Sequence, residues 1–258
     1  NYLKRYFLTL PESARAAMNG AFEDDRVLVG DMPDSYMTAM VYTAGNTPIC
    51  YFHKDLTTLN TMAHELGHYY ARLEGNDAYY SYSIKETHST ANEMLLYSFL
   101  ATQISGKAFK SAELYMLTNW VYQTVLSVIK DEFDERIYSS DPSELTLTDF
   151  NRIMRELIAE YGVAELDVDT ESQLLSYWKT QGINYPVSNY CYAIAFTASL
   201  QIYLISKDNY AEATEMYTQI VEESESTEDF LSTVGNAGLT SPYEEQTYIT
   251  LRGLLNIN

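Results

Sequence analysis

The 258-residue chain is 46% hydrophobic and 20% charged, a balance that describes a folded globular protein and excludes a disordered one. It carries 16 Lys+Arg against 36 Asp+Glu, a net charge of −20, which argues against nucleic acid and anionic membrane as partners because both need a basic footprint. No apolar run reaches the roughly 18 residues of a membrane span. The two cysteines, Cys50 and Cys191, lie in apolar surroundings outside any Cys-x-x-Cys pattern and read as buried thiols.

In chain order, the first β-forming sequence is at 26–53. Three runs rich in β-branched or aromatic residues, 26–30, 36–42 and 48–53, are separated by the turn formers Asp31-Met32-Pro33-Asp34 and Ala44-Gly45-Asn46-Thr47, the pattern of a small antiparallel sheet. Beyond residue 55 the periodicity is helical. Asp55 or Thr57 is positioned to cap a helix over 59–73, which Gly75-Asn76-Asp77 stops. A second helix is expected over 82–104 and a long one over 107–138. Shorter helices follow at about 146–161, 171–180, 188–206, 208–223, 227–234 and 242–256. With no repeat, low-complexity tract or linker, the expected fold is one mostly α domain over residues 1–258 with a small antiparallel β-sheet. The chain opens at Asn1 rather than Met and is expected to be a processed or excised piece of a longer protein.

The first of these helices carries His64-Glu65-Leu66-Gly67-His68, which holds two of the four histidines in the chain. Residues four apart share a helix face one turn apart, so both imidazoles reach toward one Zn²⁺ and Glu65 stands beside the open position as a candidate general base. Three protein ligands are needed, and the next helix offers Glu86-Thr87-His88-Ser89-Thr90-Ala91-Asn92-Glu93. Glu86 and Glu93 are two turns apart on one side. Glu86 as the third ligand gives a His₂Glu set, and Glu93 lies one layer out, able to accept from a ligand imidazole and fix its tautomer. His88 falls on roughly the opposite face and, like His53, reads as an ordinary histidine.

These two segments resemble oligoendopeptidase F and the thimet oligopeptidase family of zinc metallopeptidases. In that family a Glu-x-x-Ser-Thr/Gln-x-x-Glu segment follows the His-Glu-x-x-His helix. Trp120-Val121-Tyr122-Gln123-Thr124, Phe133-Asp134-Glu135, Leu145-Thr146, and Tyr190-Cys191-Tyr192-Ala193-Ile194-Ala195 with Leu200-Gln201 extend the resemblance over roughly residues 25–205. It implies a zincin-like catalytic domain in which His64, His68 and Glu86 bind Zn²⁺. Glu65 activates the water that attacks a peptide carbonyl, and the 42–53 segment holds an extended short-peptide substrate by strand-like hydrogen bonds. It also implies a late tyrosine donor to the oxyanion, Tyr192 fitting best with Tyr185 and Tyr190 in reserve, and a cytoplasmic location.

The chain departs from that pattern in three ways. The stretch between His68 and Glu86 is shorter, and the N-terminal helical part that roofs the cleft in relatives has no counterpart here. No histidine follows His88, where relatives carry one shortly before the tyrosines; Gln181 and Asn184 are the neutral donors in its place. The second reading is therefore a catalytically weak or silent, zinc-containing peptide-binding module.

Overall fold

The structure, a computed structural model, describes residues 2–31, 39–44, 47–55, 57–75, 81–163, 168–177, 189–224 and 229–254. The chain divides into two compact units, Asn1–Glu113 with Ile194–Asn258, and Leu114–Ala193. The first opens with α1 (Tyr2–Phe7) and α2 (Glu12–Glu23), two helices that the sequence patterning leaves unmarked. It continues with β1 (Val27–Gly30), β2 (Ala39–Ala44), β3 (Thr47–His53), α3 (Leu59–Leu73) and α4 (Tyr82–Ala101). After the start of α5 (Gly106–Tyr138), it resumes within α8 (Tyr190–Asp208) and ends with α9 (Tyr210–Glu223), α10 (Phe230–Asn236) and α11 (Glu245–Leu254).

The fold is mostly α with a small sheet, and the sheet differs in one respect from the all-antiparallel expectation. Its order is β1-β3-β2. β2 pairs antiparallel with β3, whereas β1 runs parallel to β3, with Val27 opposite Cys50 and Gly30 opposite His53. Side-chain burial accounts for the order of the strands. β3 alternates, burying Pro48, Cys50 and Phe52, and serves as the central strand. β1 leaves Leu28 and Val29 exposed, as an edge strand does.

α3 starts at Thr58, whose backbone is extended and whose side-chain oxygen accepts the Thr61 N–H. The expected caps, Asp55 and Thr57, do not act as such: the Thr57 hydroxyl donates to the His53 carbonyl at 2.6 Å, and the Asp55 N–H donates to His53 Nδ1. At the other end Gly75 turns the chain out at φ +79°, a conformation that favours glycine.

α4 is the central helix of this unit. Thirteen of its residues are buried, including Glu86, Thr87, His88, Ser89, Thr90 and Asn92, so it has no solvent face in this stretch. Buried polar groups of this density persist only when hydrogen-bonded. Thr87 donates to the Ser83 carbonyl, Ser89 and Thr90 to the Glu86 carbonyl, and Thr90 also meets Ser199 Oγ of α8 at 2.6 Å. His88 Nε2 lies 2.9 Å from Ser224 Oγ. Tyr6, Phe7, Met18, Phe52, Leu66 and Tyr70, all essentially without exposure, form one core with Ile84 and Leu95 of α4.

The second unit holds most of α5, α6 (Leu147–Glu160), α7 (Val168–Tyr177) and the first turn of α8. Its own core is Ile129, Phe133, Met154, Leu157, Leu174 and Tyr177. Tyr177 donates to Asp134 at 2.8 Å, Asn189 Nδ2 donates to the Tyr177 hydroxyl, and the Asn189 N–H donates to Asp131. Both cysteines are buried, and neither forms a disulfide. Among the described residues no helix is long and apolar enough to cross a membrane.

Candidate metal centre

Three side chains converge between α3 and α4. One ligand atom each of His64, His68 and Glu86 lies within 4.8 Å of the others. Glu86 Oε2 is 3.7 Å from His64 Nε2 and 3.9 Å from His68 Nε2, and the imidazoles stand edge to face with centroids 4.9 Å apart. Donors about 2 Å from a tetrahedral zinc stand about 3.3 Å apart. The observed spacings are a few tenths of an ångström wider, within reach of small rotamer adjustments. Two imidazoles and one carboxylate are also the donor set of a catalytic zinc with one position left open, so the residues fit the ion that the motif implies.

The spacing is set by the main chain. Gly67 lies between the histidines and faces α4, where an added Cβ would fall 2.8 Å from Ser89 Cα and closer still to the His88 carbonyl oxygen. Only a residue without a side chain lets the helices meet there, and that contact brings Glu86 to the histidine pair. Asn92 fastens the same junction: its Nδ2 donates to the Ala63 carbonyl at 2.6 Å, and its Oδ1 accepts from the buried Tyr6 hydroxyl at 2.5 Å. Neither Gly67 nor Asn92 stands out from the sequence as part of the site.

A second layer orients the donors. Glu93 Oε1 is 2.5 Å from His64 Nδ1, and Ser89 Oγ reaches Glu86 Oε2 at 3.5 Å. Glu65, beside His64, is buried, and the Cys50 thiol lies 3.8 Å from its carbonyl oxygen.

The charges interact strongly. Burial pulls the His64 pKa down, but the Glu93 hydrogen bond and charge, with Glu65 and Glu86, outweigh it and raise the imidazole to about 9. Burial holds His68 well below its ordinary value, reinforced by His64. Glu65 is pushed up to about 6 by burial, with His64 opposing and Glu86 adding. Of the two imidazoles, His64 is therefore the one whose surroundings favour the protonated form.

The remaining candidates lie elsewhere in the chain. Tyr190 and Tyr192 are exposed on the first turn of α8. Tyr185, Gln181 and Asn184 lie outside the described residues. Of the 42–53 segment, Cys50–Phe52 are paired on both sides; among the described residues β1 and β2 are the edge strands, and residues 42–44 of the segment lie on β2. Asp31, His53 and Asp55 form another cluster of possible ligands, but Lys54 already occupies Asp31 at 2.9 Å and His53 Nδ1 accepts a backbone N–H.

No protein-family model and no curated protein matches the chain. Solved structures do match. The chain superposes on PZ peptidase A, solved with an inhibitor, with a TM-score of 0.79 and 18% identity over 100% of this chain and 48% of that one. A Bacillus anthracis str. Ames protein named for oligoendopeptidase F matches with a TM-score of 0.76 and 17% identity, over 99% of this chain and 44% of that one. A Chlamydophila abortus protein named as a peptidase gives 0.70 and 19%, over 99% and 45%. The chain thus has the fold of oligoendopeptidase F-like structures and spans a little under half the length of each.

Proposed function

We propose that this chain is the catalytic part of a zinc-dependent oligopeptidase that hydrolyses internal bonds of short peptides. The observation that supports it most is the convergence of His64, His68 and Glu86 with Glu65 buried alongside. The likeness of fold to peptidases adds to it.

His64 Nε2, His68 Nε2 and Glu86 Oε2 would hold the ion. When bound, zinc supplies Lewis acidity toward a carbonyl oxygen and lowers the pKa of water. Glu65 accepts the proton of the attacking water on its carboxylate and passes it to the nitrogen of the leaving amine. Glu93 keeps the His64 proton on Nδ1, leaving the Nε2 lone pair for the metal. An extended peptide adds to the edge strand β2. By resemblance Tyr192, with Tyr190 and Tyr185 in reserve, donates to the developing oxyanion.

Metal analysis and peptide turnover test this reading. Protein purified without chelator is expected to carry about one equivalent of zinc. Glu65→Gln is expected to keep the metal and lose roughly a hundred- to ten-thousandfold in cleavage of an internally quenched peptide. Failure to take up added zinc, or equal turnover by the two proteins, would overturn it.

The absence of any histidine after His88 supports a second reading, a zinc-containing module that binds peptides and turns them over weakly or not at all. Peptide binding that requires zinc, with no cleavage by wild type, would select that reading.

A further inference from the structure

Asn60 lies one helical turn before His64 and two before His68, so the three side chains form a single stripe along α3. Its Nδ2 donates to Glu93 Oε2, while Glu93 Oε1 holds His64 Nδ1. The carboxylate is thus gripped at both oxygens, one by the imidazole and one by the amide. The amide orientation follows from chemistry, because the reverse would set Oδ1 against a carboxylate oxygen.

Asn60 Oδ1 is buried, and among the described residues it has no hydrogen-bond partner. A buried acceptor without a partner is destabilising. An apolar side chain of the same size would remove that cost together with the donor to Glu93, two effects on stability that oppose each other. Only its donor end has an evident role, and that role points at the imidazole.

We infer that Asn60 is a positioning residue for the metal centre: by fixing the Glu93 carboxylate it fixes the ring orientation and tautomer of His64. The inference deepens the zinc reading proposed above and rests on it for the identity of the ion. Asn60 is not among the three residues that would hold the ion and acts through two side chains, Glu93 and His64.

Asn60→Leu, which keeps the branched shape but removes both donor and orphaned acceptor, separates positioning from structure. Three quantities are read on the whole 258-residue chain: zinc affinity by competition with a chelator, the downfield proton resonance of His64 Nδ1–H without zinc, and the zinc-free Tm. The expected result is zinc affinity reduced about tenfold or more, the Nδ1–H resonance lost or moved upfield, and a zinc-free Tm unchanged or raised. An unchanged zinc affinity, an unchanged resonance, or a lowered Tm with zinc affinity intact would overturn the inference. If Asn60→Leu does not fold, Asn60→Ala is judged by the same criteria. Should the parent protein take up no zinc, the peptidase reading fails, and the Nδ1–H resonance still decides the role of Asn60.

Discussion

Glu93 Oε1 lies 2.5 Å from His64 Nδ1, which leaves Nε2 of the same ring turned toward Glu86. A carboxylate on one imidazole nitrogen makes the other a better and better-aimed donor.

Replacing Glu93 with alanine is therefore expected to weaken zinc binding about ten- to a hundredfold, although Glu93 itself does not belong to the ligand triad. Glu93→Gln, whose side-chain oxygen still accepts from Nδ1, is expected to lose less. Chelator competition on both variants checks the order; equal losses would mean that bulk, not acceptance of the proton, is what matters.

At Gly67 the expectation concerns the backbone. Gly67→Ala sets a methyl against His88 and Ser89 and must separate α3 from α4. Overpacking of this kind costs about 1–3 kcal/mol, to be read as a lower Tm in the zinc-free protein. Glu86 withdraws from the histidines at the same time, so zinc affinity is expected to fall as well. A variant with wild-type Tm and affinity would show that the helices part at no cost.

Tyr192 occupies an exposed position on the first turn of α8, where its removal leaves the cores intact. Tyr192→Phe is expected to lower kcat about a hundred- to a thousandfold with zinc content and Tm unchanged. Tyr190→Phe and Tyr185→Phe measured beside it assign the donor; loss in one of them instead would move the role to that residue.

The acid dependence of folding has one well-defined contributor in Glu113. Burial pushes its carboxyl up, but hydrogen bonds from Lys207 and Tyr203, with the Lys207 charge, hold it below the ordinary range. A depressed folded pKa means stability that is present above the unfolded value of about 4.3 and lost as pH falls through the folded one. Because Lys207 is half exposed, the contribution is at most about 1 kcal/mol. Glu113→Gln is expected to lower stability in urea titrations at pH 7 and to leave it unchanged near pH 3.

The bounds of α3 are legible because local signals agree: turn residues before it, the histidine pair within it and Gly75 after it. The extent of α5 is legible for the same reason. α1 and α2 are not. The six residues of α1 are too short to display a helical period, and α2 buries Ala14, Ala17 and Ala21, which mark a hydrophobic face only faintly. The parallel pairing of β1 with β3 escapes local reading as well, since strand order depends on partners more than twenty residues apart.

Within the site, spacing alone points to His64, Glu65 and His68, because a helix turns i to i+4 into adjacency. Glu86 and Glu93 follow from their two-turn separation. Asn60 does not, although it continues the same stripe. Its significance comes from Glu93, 33 positions away, and nothing in the pentapeptide names that partner. Gly67 is visible as a letter of the motif, but its reason is the neighbouring helix.

That reason has a consequence for how the ion arrives. Since one helix rests on the other main chain to main chain at Gly67, the separation of the donors belongs to the scaffold rather than to the ion. On the zinc reading, removing the metal is expected to leave a folded protein with His64, His68 and Glu86 still close together, unlike a zinc finger, which is unfolded without its ion. Loading, on the same reading, is then expected to depend on access and proton exchange rather than on refolding.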